Sequence, residues 1–395
     1  MAPAKAMLLI AGLGGGAAAA AAAVAALPPA RAPLALRALA RRPLAAAASA
    51  AAPRAAPRAS ALAATPARRV VFLGTPAVAA HSLEMLLDAA RPHAPDSTFE
   101  VVAVVSQPPA PAGRKKVLTN SPVHALADAR GVRVLTPKSA RDGAFLDELE
   151  AMGIDLCVTA AYGCFLPARF LAIPSCGTLN IHPSLLPRWR GAAPVQRTLE
   201  AGDAVTGVTV LFTVLKMDAG PIVRQRTLPL RGDEQCPELL RNLFEIGCHE
   251  LLDCLPDVWS GEAAARARAQ DEGAATTAPK LSKDEALGSF AAQSATQLHN
   301  AVRAFAEWPG TLVSLSVGGE PTDVKLCRTR LPASDAAAGA ARTRALTLDG
   351  AALVAVCADG SVLHIEELQV AGRRRVDARA FWNGLQGKDE LSWLR

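Results

Sequence analysis

The segment Leu179–Gly191 has the sequence LNIHPSLLPRWRG, and it decides how the rest of the chain is interpreted. It closes an apolar run, which predicts the end of a buried strand and the loop beyond it. Asn180 and His182 are two residues apart, and on an extended backbone such side chains point to the same face. Open α/β sheets bind their ligands at the carboxyl ends of their strands. The segment therefore predicts a binding site that contains an amide and an imidazole; a polar turn between a strand and a helix is the alternative.

The residues before this segment predict a doubly wound parallel sheet. An apolar run at 69–76 ends in turn residues, leucines at helical spacing occupy 79–89, and a second buried strand is predicted at 101–106. This β–α–β opening is typical of α/β folds. The first turn lacks a Gly-x-Gly-x-x-Gly sequence, so a dinucleotide cofactor is not predicted. Further strands are predicted at 132–135, 154–163, 207–212 and 222–230, and further helices at 123–130, 141–152, 167–171, 194–201 and 238–255.

Residues 1–67 form an Ala-rich leader that contains seven basic residues and no acidic ones. Subtracting these charges from the formal net charge of +6 leaves −1 for residues 68–395, so a nucleic-acid site there is predicted to be a local patch. The leader is typical of an organellar transit peptide, and its few hydroxyl residues favour the mitochondrion over the plastid stroma. A signal peptide and a disordered cytosolic extension are the alternatives. The apolar stretch 7–27 is mostly alanine, too weakly hydrophobic to predict a membrane span.

Two domains are predicted after the leader: an α/β domain at 68–260 and a small β-barrel domain at 281–395. The segment 261–280 between them lacks apolar periodicity and is predicted to be a linker. A helix at 295–305 is followed by short β runs at 312–317, 323–327, 352–357 and 361–369, a pattern that indicates a barrel. A flexible loop is predicted at 333–341. The chain is predicted to be a monomer.

Three further patterns concern binding sites. The loop 107–121 carries Arg114, Lys115 and Lys116, which are either a solvated charge cluster or a contact for an anionic partner. Arg373, Arg374 and Arg375 form the sharpest basic patch of the second domain. The eight cysteines contain no Cys-x-x-Cys pair, and His182 has no partner at ligand spacing, so buried reduced thiols and no metal site are predicted.

From about Arg68 to the C-terminus, the chain resembles the folate-dependent formyltransferases. The resemblance rests on Asn180 and His182 with the Ser-Leu-Leu-Pro that follows, on the residues up to Gly191, and on Met217–Gly220. It is strongest to the members that act on methionyl-tRNA. It implies an OB-like second domain, 10-formyltetrahydrofolate as formyl donor and initiator methionyl-tRNA as acceptor, contacted by the basic loop at residue 114. The charge of Arg373, Arg374 and Arg375 predicts that they hold the flank of the tRNA. The resemblance also implies folate contacts from Tyr162, Gly163, Ser184, Leu185, Leu186 and Pro187.

Formyl transfer to an amine passes through a tetrahedral oxyanion, which needs a hydrogen-bond donor and groups that move protons. Asn180 suits the role of donor, and His182 can bind the same oxygen or relay a proton. Asp218 matches the family's acid and can orient the imidazole or accept the amine proton through water. The chain departs from the family pattern at Ala219 and Pro221, where Thr and Asp are common.

Three alternatives compete with this hypothesis. A glycinamide ribonucleotide formyltransferase would lack the second domain, whereas a formyltetrahydrofolate hydrolase would use water as acceptor. A catalytically silent tRNA-binding protein would not need the three polar residues Asn180, His182 and Asp218.

Overall fold

The structure is a computed structural model that describes residues 66–113, 115–332, 343–385 and 390–394. The predicted leader lies outside these ranges except for its last two residues. The loop predicted at 333–341 and the predicted site residue Arg114 also lie outside them.

The amino-terminal domain alternates strands and helices, as the sequence predicts. Its elements are, in chain order, β1 (Arg68–Gly74), α1 (Ala77–Ala89), β2 (Phe99–Val105), β3 (Ala110–Ala112), β4 (Val117–Thr119), α2 (Pro122–Ala129), β5 (Val134–Leu135), α3 (Gly143–Ala151), β6 (Leu156–Ala160), α4 (Ala168–Leu171), β7 (Thr178–His182), β8 (Arg190–Gly191), α5 (Pro194–Ala201), β9 (Val205–Phe212), β10 (Ile222–Pro229) and α6 (Cys236–Ser260).

Seven of these strands form one sheet in the order β10-β9-β7-β6-β1-β2-β5. The strands from β7 to β5 are parallel, whereas β9 and β10 add an antiparallel edge. The chain leaves β5 at one edge of the sheet and returns to place β6 beside β1. The carboxyl ends of β1 and β6 therefore flank a topological switch point, where ligands bind in such sheets. The predicted doubly wound sheet is confirmed.

Both faces of this sheet are covered, because its strands are apolar on both sides. One core cluster joins strand residues such as Phe72 to α1, α2 and α6, and a second joins Val71 to α3 and α4. The longest helix, α6, passes close beneath β7 at Gly247. A Cβ atom at that glycine would lie 2.4 Å from Ile181, so only glycine permits this approach. The packing thus supports the strand that carries Asn180 and His182.

The region 107–121, predicted to be an irregular loop, contains a small antiparallel hairpin of β3 and β4. Each strand has three residues, all of them exposed. Because neither strand has a buried face, its sequence shows no alternation of apolar and polar residues. Lys115 and Lys116 lie in its turn.

The segment 261–280, predicted to be a linker, is structured and packs against the amino-terminal domain. It contains α7 (Glu262–Arg266), a 3-10 turn (Glu272–Ala274) and β11 (Thr277–Ala278), which pairs in parallel with β8. Side-chain hydrogen bonds and a two-residue strand create no apolar periodicity, so this ordered structure could not be predicted from the sequence pattern.

The carboxyl-terminal domain is a nearly closed antiparallel sheet. Its strands run in the order β14-β15-β16-β13-β12-β18, with β17 paired to β16. An isolated bridge between Ala345 and Ser392 brings the two ends of the sheet together, so the predicted barrel is confirmed. Its elements are a 3-10 turn (Lys283–Ala286), α8 (Ala295–Ala304), β12 (Thr311–Val317), β13 (Glu320–Arg330), β14 (Thr347–Asp349), β15 (Ala352–Val356), β16 (Val362–Val370), β17 (Val376–Asp377), α9 (Ala378–Asn383) and β18 (Leu391–Trp393).

A continuous apolar cluster joins the domains. Leu199 of α5 and Leu243 of α6 pack with Phe305 at the end of α8. His299 of α8 also lies at this junction and is 5% exposed. Its Nε2 lies 2.9 Å from the carbonyl oxygen of Gly232, and its Nδ1 lies 2.9 Å from Oγ1 of Thr329. The neutral ring therefore forms one hydrogen bond with each domain.

We expect acidification to loosen this junction through His299. Burial lowers the pKa of His299 below its ordinary value. As the pH falls through about 6.5, this histidine binds a proton in the unfolded chain but stays neutral in the folded chain. The free energy of unfolding therefore decreases. Urea unfolding of the wild type and of His299→Gln at several pH values between 7.5 and 5 measures this effect. The variant should lose less stability on acidification; an identical pH dependence would contradict the assignment. Burial also lowers the pKa of His364. The comparison variant His364→Gln therefore measures how much of the pH dependence of stability comes from that residue.

Candidate active site

Asn180 lies near the carboxyl end of β7, and its side-chain amide is already oriented. Oγ1 of Thr159, on the neighbouring strand β6, donates a hydrogen bond of 2.8 Å to Oδ1 of Asn180. This contact uses the amide oxygen and leaves the Nδ2 hydrogens for another acceptor. The arrangement suits an amide that donates to an oxyanion.

His182, the last residue of β7, is buried, with 5% of its surface exposed. Its Nε2 lies 3.0 Å from the carbonyl oxygen of Trp189. Because a carbonyl oxygen only accepts, Nε2 carries a proton and the lone pair of the neutral ring is assigned to Nδ1. Nδ1 lies 3.8 Å from Oδ2 of Asp218, within ion-pair distance but beyond a hydrogen bond. A proton on Nδ1 would therefore be stabilised by the carboxylate.

Asp218 lies in the loop between β9 and β10, at a φ of +48°. Its Oδ2 accepts a hydrogen bond of 2.9 Å from the backbone amide of Gly191. This bond directs the carboxylate towards the end of β7, so the structure brings together His182 and Asp218, which are 36 positions apart in the sequence. Asn180, His182 and Asp218 thus supply a donor, an imidazole and a carboxylate at one edge of the sheet.

The loop after His182 is held from behind by β9 and β10. Oγ1 of Thr209 donates to the carbonyl oxygen of Ser184 and accepts from the amide of Leu186. Gln225 donates to the carbonyl oxygen of Leu186 at 2.7 Å. These bonds fix the backbone of the Ser-Leu-Leu-Pro segment.

The side chains of the predicted folate contacts in this loop differ in exposure. Ser184 is fully buried, and its hydroxyl donates to the carbonyl oxygen of Arg188 at 2.7 Å. Leu186 is buried against Leu211 and Ile222. The side chains of Ser184 and Leu186 thus brace the loop, whereas Leu185 and Pro187 are half-buried.

The predicted pair Tyr162 and Gly163 follows β6 at the switch point. The Tyr162 ring packs in the core, and burial raises the pKa of its hydroxyl above the ordinary value. The carbonyl oxygen of Tyr162 accepts from Oγ1 of Thr75, which follows β1. Gly163 has a φ of +82° and lies beside Gln107. The Tyr162 side chain therefore lies in the core, 5% exposed, at the carboxyl end of β6.

The Arg188–Gly191 segment is anchored by polar contacts that range from exposed to buried. Asp203 accepts two hydrogen bonds from the Arg188 guanidinium and one from the Trp189 indole. The Arg190 guanidinium is buried and contacts Gln270 and Glu272 of the connecting segment. Hydrogen bonds from Arg190 and Lys216 lower the pKa of Glu272 to about 2.

The predicted basic residues that the structure describes lie on exposed turns, far in the sequence from these loops. Lys115 and Lys116 are exposed in the β3–β4 hairpin. Arg373, Arg374 and Arg375 are exposed in the turn between β16 and β17. Arg375 pairs with Glu367, whereas within the described ranges no acidic side chain lies at ion-pair distance from Arg373 or Arg374.

Two more arginines of the barrel lie on β13, which pairs with β16, and were not predicted as site residues. Arg328 and Arg330 of β13 are both exposed and share one partner, Glu366 of β16. Arg328 and Arg330 are two positions apart, so the sequence could have placed them on one face of a strand. It does not show that this strand pairs with β16. We call Arg328, Arg330 and Arg373–Arg375 the barrel arginines.

Sequence reasoning also missed Thr159, Gln270 and Thr276. Thr159 orients Asn180, and Oγ1 of Thr276 accepts from the amide of Trp189 at 2.9 Å. Such residues act through single hydrogen bonds to distant loops, which no local pattern predicts.

Within the described ranges, no group of three or more His, Cys, Asp or Glu side chains is arranged to hold a metal ion. All eight cysteines are free, and six of them are buried. In the same part of the chain, we find no helix with the length and apolar character needed to cross a bilayer.

Comparison with known proteins adds the following matches. Residues 68–252 match the family described as formyl transferase, and residues 280–386 match the formyl transferase C-terminal domain. The methionyl-tRNA formyltransferase of Roseiflexus castenholzii (strain DSM 13941 / HLO8) is 39% identical over 319 residues, which cover 80% of this chain and 96% of the relative. That of Roseiflexus sp. (strain RS-1) is 39% identical over 318 residues, covering 80% and 93%.

Solved structures share the fold at lower identity. The N-formyltransferase from Helicobacter canadensis, solved with folinic acid and dTDP-3-aminofucose, superposes with a TM-score of 0.54 at 16% identity. The match covers 76% of this chain and 99% of that one.

Proposed function

The chain belongs to the formyltransferase family that contains the methionyl-tRNA formyltransferases, and on that premise we propose that it formylates initiator methionyl-tRNA with 10-formyltetrahydrofolate as donor. The observation that carries the proposal is the arrangement of Asn180, His182 and Asp218 at the carboxyl edge of the sheet. The product would be N-formylmethionyl-tRNA, used to begin translation in an organelle.

The proposed reaction begins when the methionyl amine attacks the formyl carbon. A C–N bond forms and the formyl oxygen becomes an oxyanion, which accepts a hydrogen bond from Nδ2 of Asn180. The amine gives up a proton to Nδ1 of His182, where Asp218 stabilises the resulting charge. The tetrahedral intermediate then collapses, the bond to the folate nitrogen breaks, and that nitrogen takes the proton from His182 as it leaves, which returns the imidazole to its neutral form.

We place the folate between the turn at Tyr162–Gly163 and the loop Ser184–Pro187. Both follow strands that lie at or next to the switch point, where ligands bind in such sheets. Because Ser184 and Leu186 point inward, the contacts would come from the loop backbone and from Leu185 and Pro187. No metal is needed for this chemistry, since Asn180 supplies the oxyanion donor.

Two exposed basic surfaces suit the phosphates of the tRNA: the β3–β4 hairpin with Lys115 and Lys116, and the barrel arginines. Arg114 immediately precedes Lys115 in the sequence. The net charge of the barrel is small, so these local patches, not a global field, would carry the affinity.

Arg373→Ala/Arg374→Ala is expected to raise the KM for methionyl-tRNA and to leave the KM for the formyl donor unchanged. Each lost phosphate contact should reduce the slope of log KM against log salt by about 1. Initial rates against tRNA concentration at several salt concentrations measure both quantities. Arg266→Ala on α7, which removes another exposed arginine, is the control. An unchanged salt dependence in the double variant would exclude these two residues from the tRNA contact.

The proposed function is tested directly by incubating the protein with 10-formyltetrahydrofolate and charged initiator tRNA. The expected product is N-formylmethionine, released from the tRNA by mild base and identified by mass. Hydrolysis of the donor without formylation would favour the hydrolase alternative, and binding of tRNA without either reaction would favour the silent binding protein.

We also propose that residues 1–67 direct the protein to the mitochondrion, with the plastid stroma as the alternative, and that the enzyme is a monomer. The support for targeting is the acid-free, arginine-containing composition of the leader. A fluorescent fusion to residues 1–70 should accumulate in the organelle, and the protein without residues 1–67 should retain its activity. A diffuse cytosolic fusion would contradict the targeting proposal.

A further inference from the structure

The connecting segment reaches back to the loop that carries Asp218. Nε2 of Gln270 donates to the carbonyl oxygens of Asp218 and Gly220, both at 2.7 Å. One amide group therefore bridges the two ends of the turn in which Asp218 lies.

The orientation of this amide is determined by its other partner. Oε1 of Gln270 accepts from Nε and Nη2 of Arg190, at 3.0 and 2.8 Å. A guanidinium only donates and a carbonyl only accepts, so the oxygen must face Arg190 and the nitrogen must face the Asp218 turn. Arg190 is 8% exposed and is held by Glu272 as well, which makes it a rigid anchor.

The turn needs such a restraint, because its backbone is in an unfavourable region. Asp218 has a φ of +48°, which residues other than glycine adopt infrequently. Trp189, whose carbonyl oxygen accepts from His182, has a φ of +65°. The connecting segment restrains this residue too, since Thr276 accepts from the Trp189 amide. Both partners of the His182–Asp218 pair are thus positioned by loops that residues 270–276 hold in place.

We propose that Gln270 is a positioning residue for formyl transfer, which holds the Asp218 turn so that the carboxylate faces Nδ1 of His182. This inference rests on the proposed function for its chemistry. Gln270 acts only through Asp218 in this role, so its loss should slow the chemical step and leave substrate binding unchanged.

Two substitutions separate this role from simple support of Arg190. Gln270→Glu keeps an oxygen for Arg190 but loses both N–H donors to the Asp218 turn. Gln270→Met has a similar length and loses both contacts. If Gln270 positions Asp218, both variants should lower kcat, by about 10- to 100-fold, because small displacements of catalytic groups have effects of this size. If it only supports Arg190, Gln270→Glu should resemble the wild type and only Gln270→Met should be impaired.

The experiment measures kcat and KM for methionyl-tRNA formylation, folate affinity by titration with tetrahydrofolate, and the thermal midpoint of the full chain. The expected result is a low kcat in both variants, with unchanged KM for tRNA, unchanged folate affinity and a thermal midpoint well above the assay temperature. Glu262→Gln, in the same connecting segment, is the control. A wild-type kcat in Gln270→Glu, or a loss confined to KM, overturns the proposal.

Hydrolysis of the formyl donor, in which water is the acceptor, provides a second readout that does not depend on methionyl-tRNA. If the wild-type protein hydrolyses 10-formyltetrahydrofolate but fails to formylate methionyl-tRNA, the proposed function fails, and the effect of Gln270→Glu on hydrolysis still decides the positioning role.

Discussion

Asn180→Ala is expected to lower kcat for formyl transfer by about 10²- to 10³-fold, the effect of removing one oxyanion donor in other enzymes. The substitution removes Nδ2, which remains available as a donor when Thr159 donates to Oδ1. The donor is needed most when the formyl oxygen becomes charged, so the loss should appear in kcat and not in folate affinity. The measurement is steady-state formylation together with a folate titration.

The fold should survive this substitution, which makes the kinetic result interpretable. Asn180 is half-buried, and the hydroxyl of Thr159 can turn to the Leu179 carbonyl oxygen, 3.3 Å away. Asn383→Ala, at an exposed position in α9, is a matched control that should leave kcat unchanged. A near-normal kcat in Asn180→Ala would assign the oxyanion to another donor.

Thr159→Val separates orientation from donation. This variant keeps Nδ2 of Asn180 but removes the hydroxyl that fixes the amide, so its effect on kcat should be smaller than that of Asn180→Ala. Equal effects would mean that Asn180 donates only when Thr159 holds it.

The fold and the reacting residues were predictable for different reasons. The sheet was predictable because buried parallel strands are apolar throughout, as in 69–76 and 101–106. Asn180 and His182 were recognised because they share one short segment, and their spacing on a strand defines their common face. Asp218 required the resemblance to a family, because no local pattern relates it to a residue 36 positions earlier.

The connecting segment was the least predictable part, for a physical reason. Gln270 and Thr276 stabilise loops through single hydrogen bonds, which do not depend on periodicity or hydrophobicity. Gly191 shows the same limitation: its φ is +133°, and a Cβ atom there would lie 2.5 Å from the carbonyl oxygen of Ala278. The sequence identifies the glycine, but only the structure shows that β11 passes beside it.

The domain junction also changes how the barrel should be studied. The sequence suggests that residues 281–395 can be deleted to test their role in tRNA binding. In the structure, Phe305 of that region packs into the cluster containing Leu199 and Leu243. Deletion would expose this apolar surface, and a loss of activity would then report unfolding. Surface variants such as Arg373→Ala/Arg374→Ala avoid this ambiguity.

His182→Ala and Asp218→Asn should each lower kcat severely, by about 10²- to 10⁴-fold if the pair performs the proton transfer. Nδ1 of His182 is the site that can take the amine proton, and Asp218 stabilises the proton there at 3.8 Å. Asp218→Asn keeps an oxygen that can accept from the Gly191 amide, so the loop should hold while the charge is lost.

The double variant His182→Ala/Asp218→Asn tests whether the two residues act as one unit. If Asp218 contributes by stabilising a proton on His182, its charge has no further use once the imidazole is gone, so the double variant should be about as slow as the slower single variant. If Asp218 accepts the amine proton independently through water, the two losses should multiply. Asp128→Asn on α2 is the matched control, since Asp128 also pairs with a histidine, His124 at 3.3 Å, on the surface of a helix. That control should leave kcat unchanged. Multiplied losses in the double variant would reject the relay from amine to imidazole and assign the role of base to Asp218.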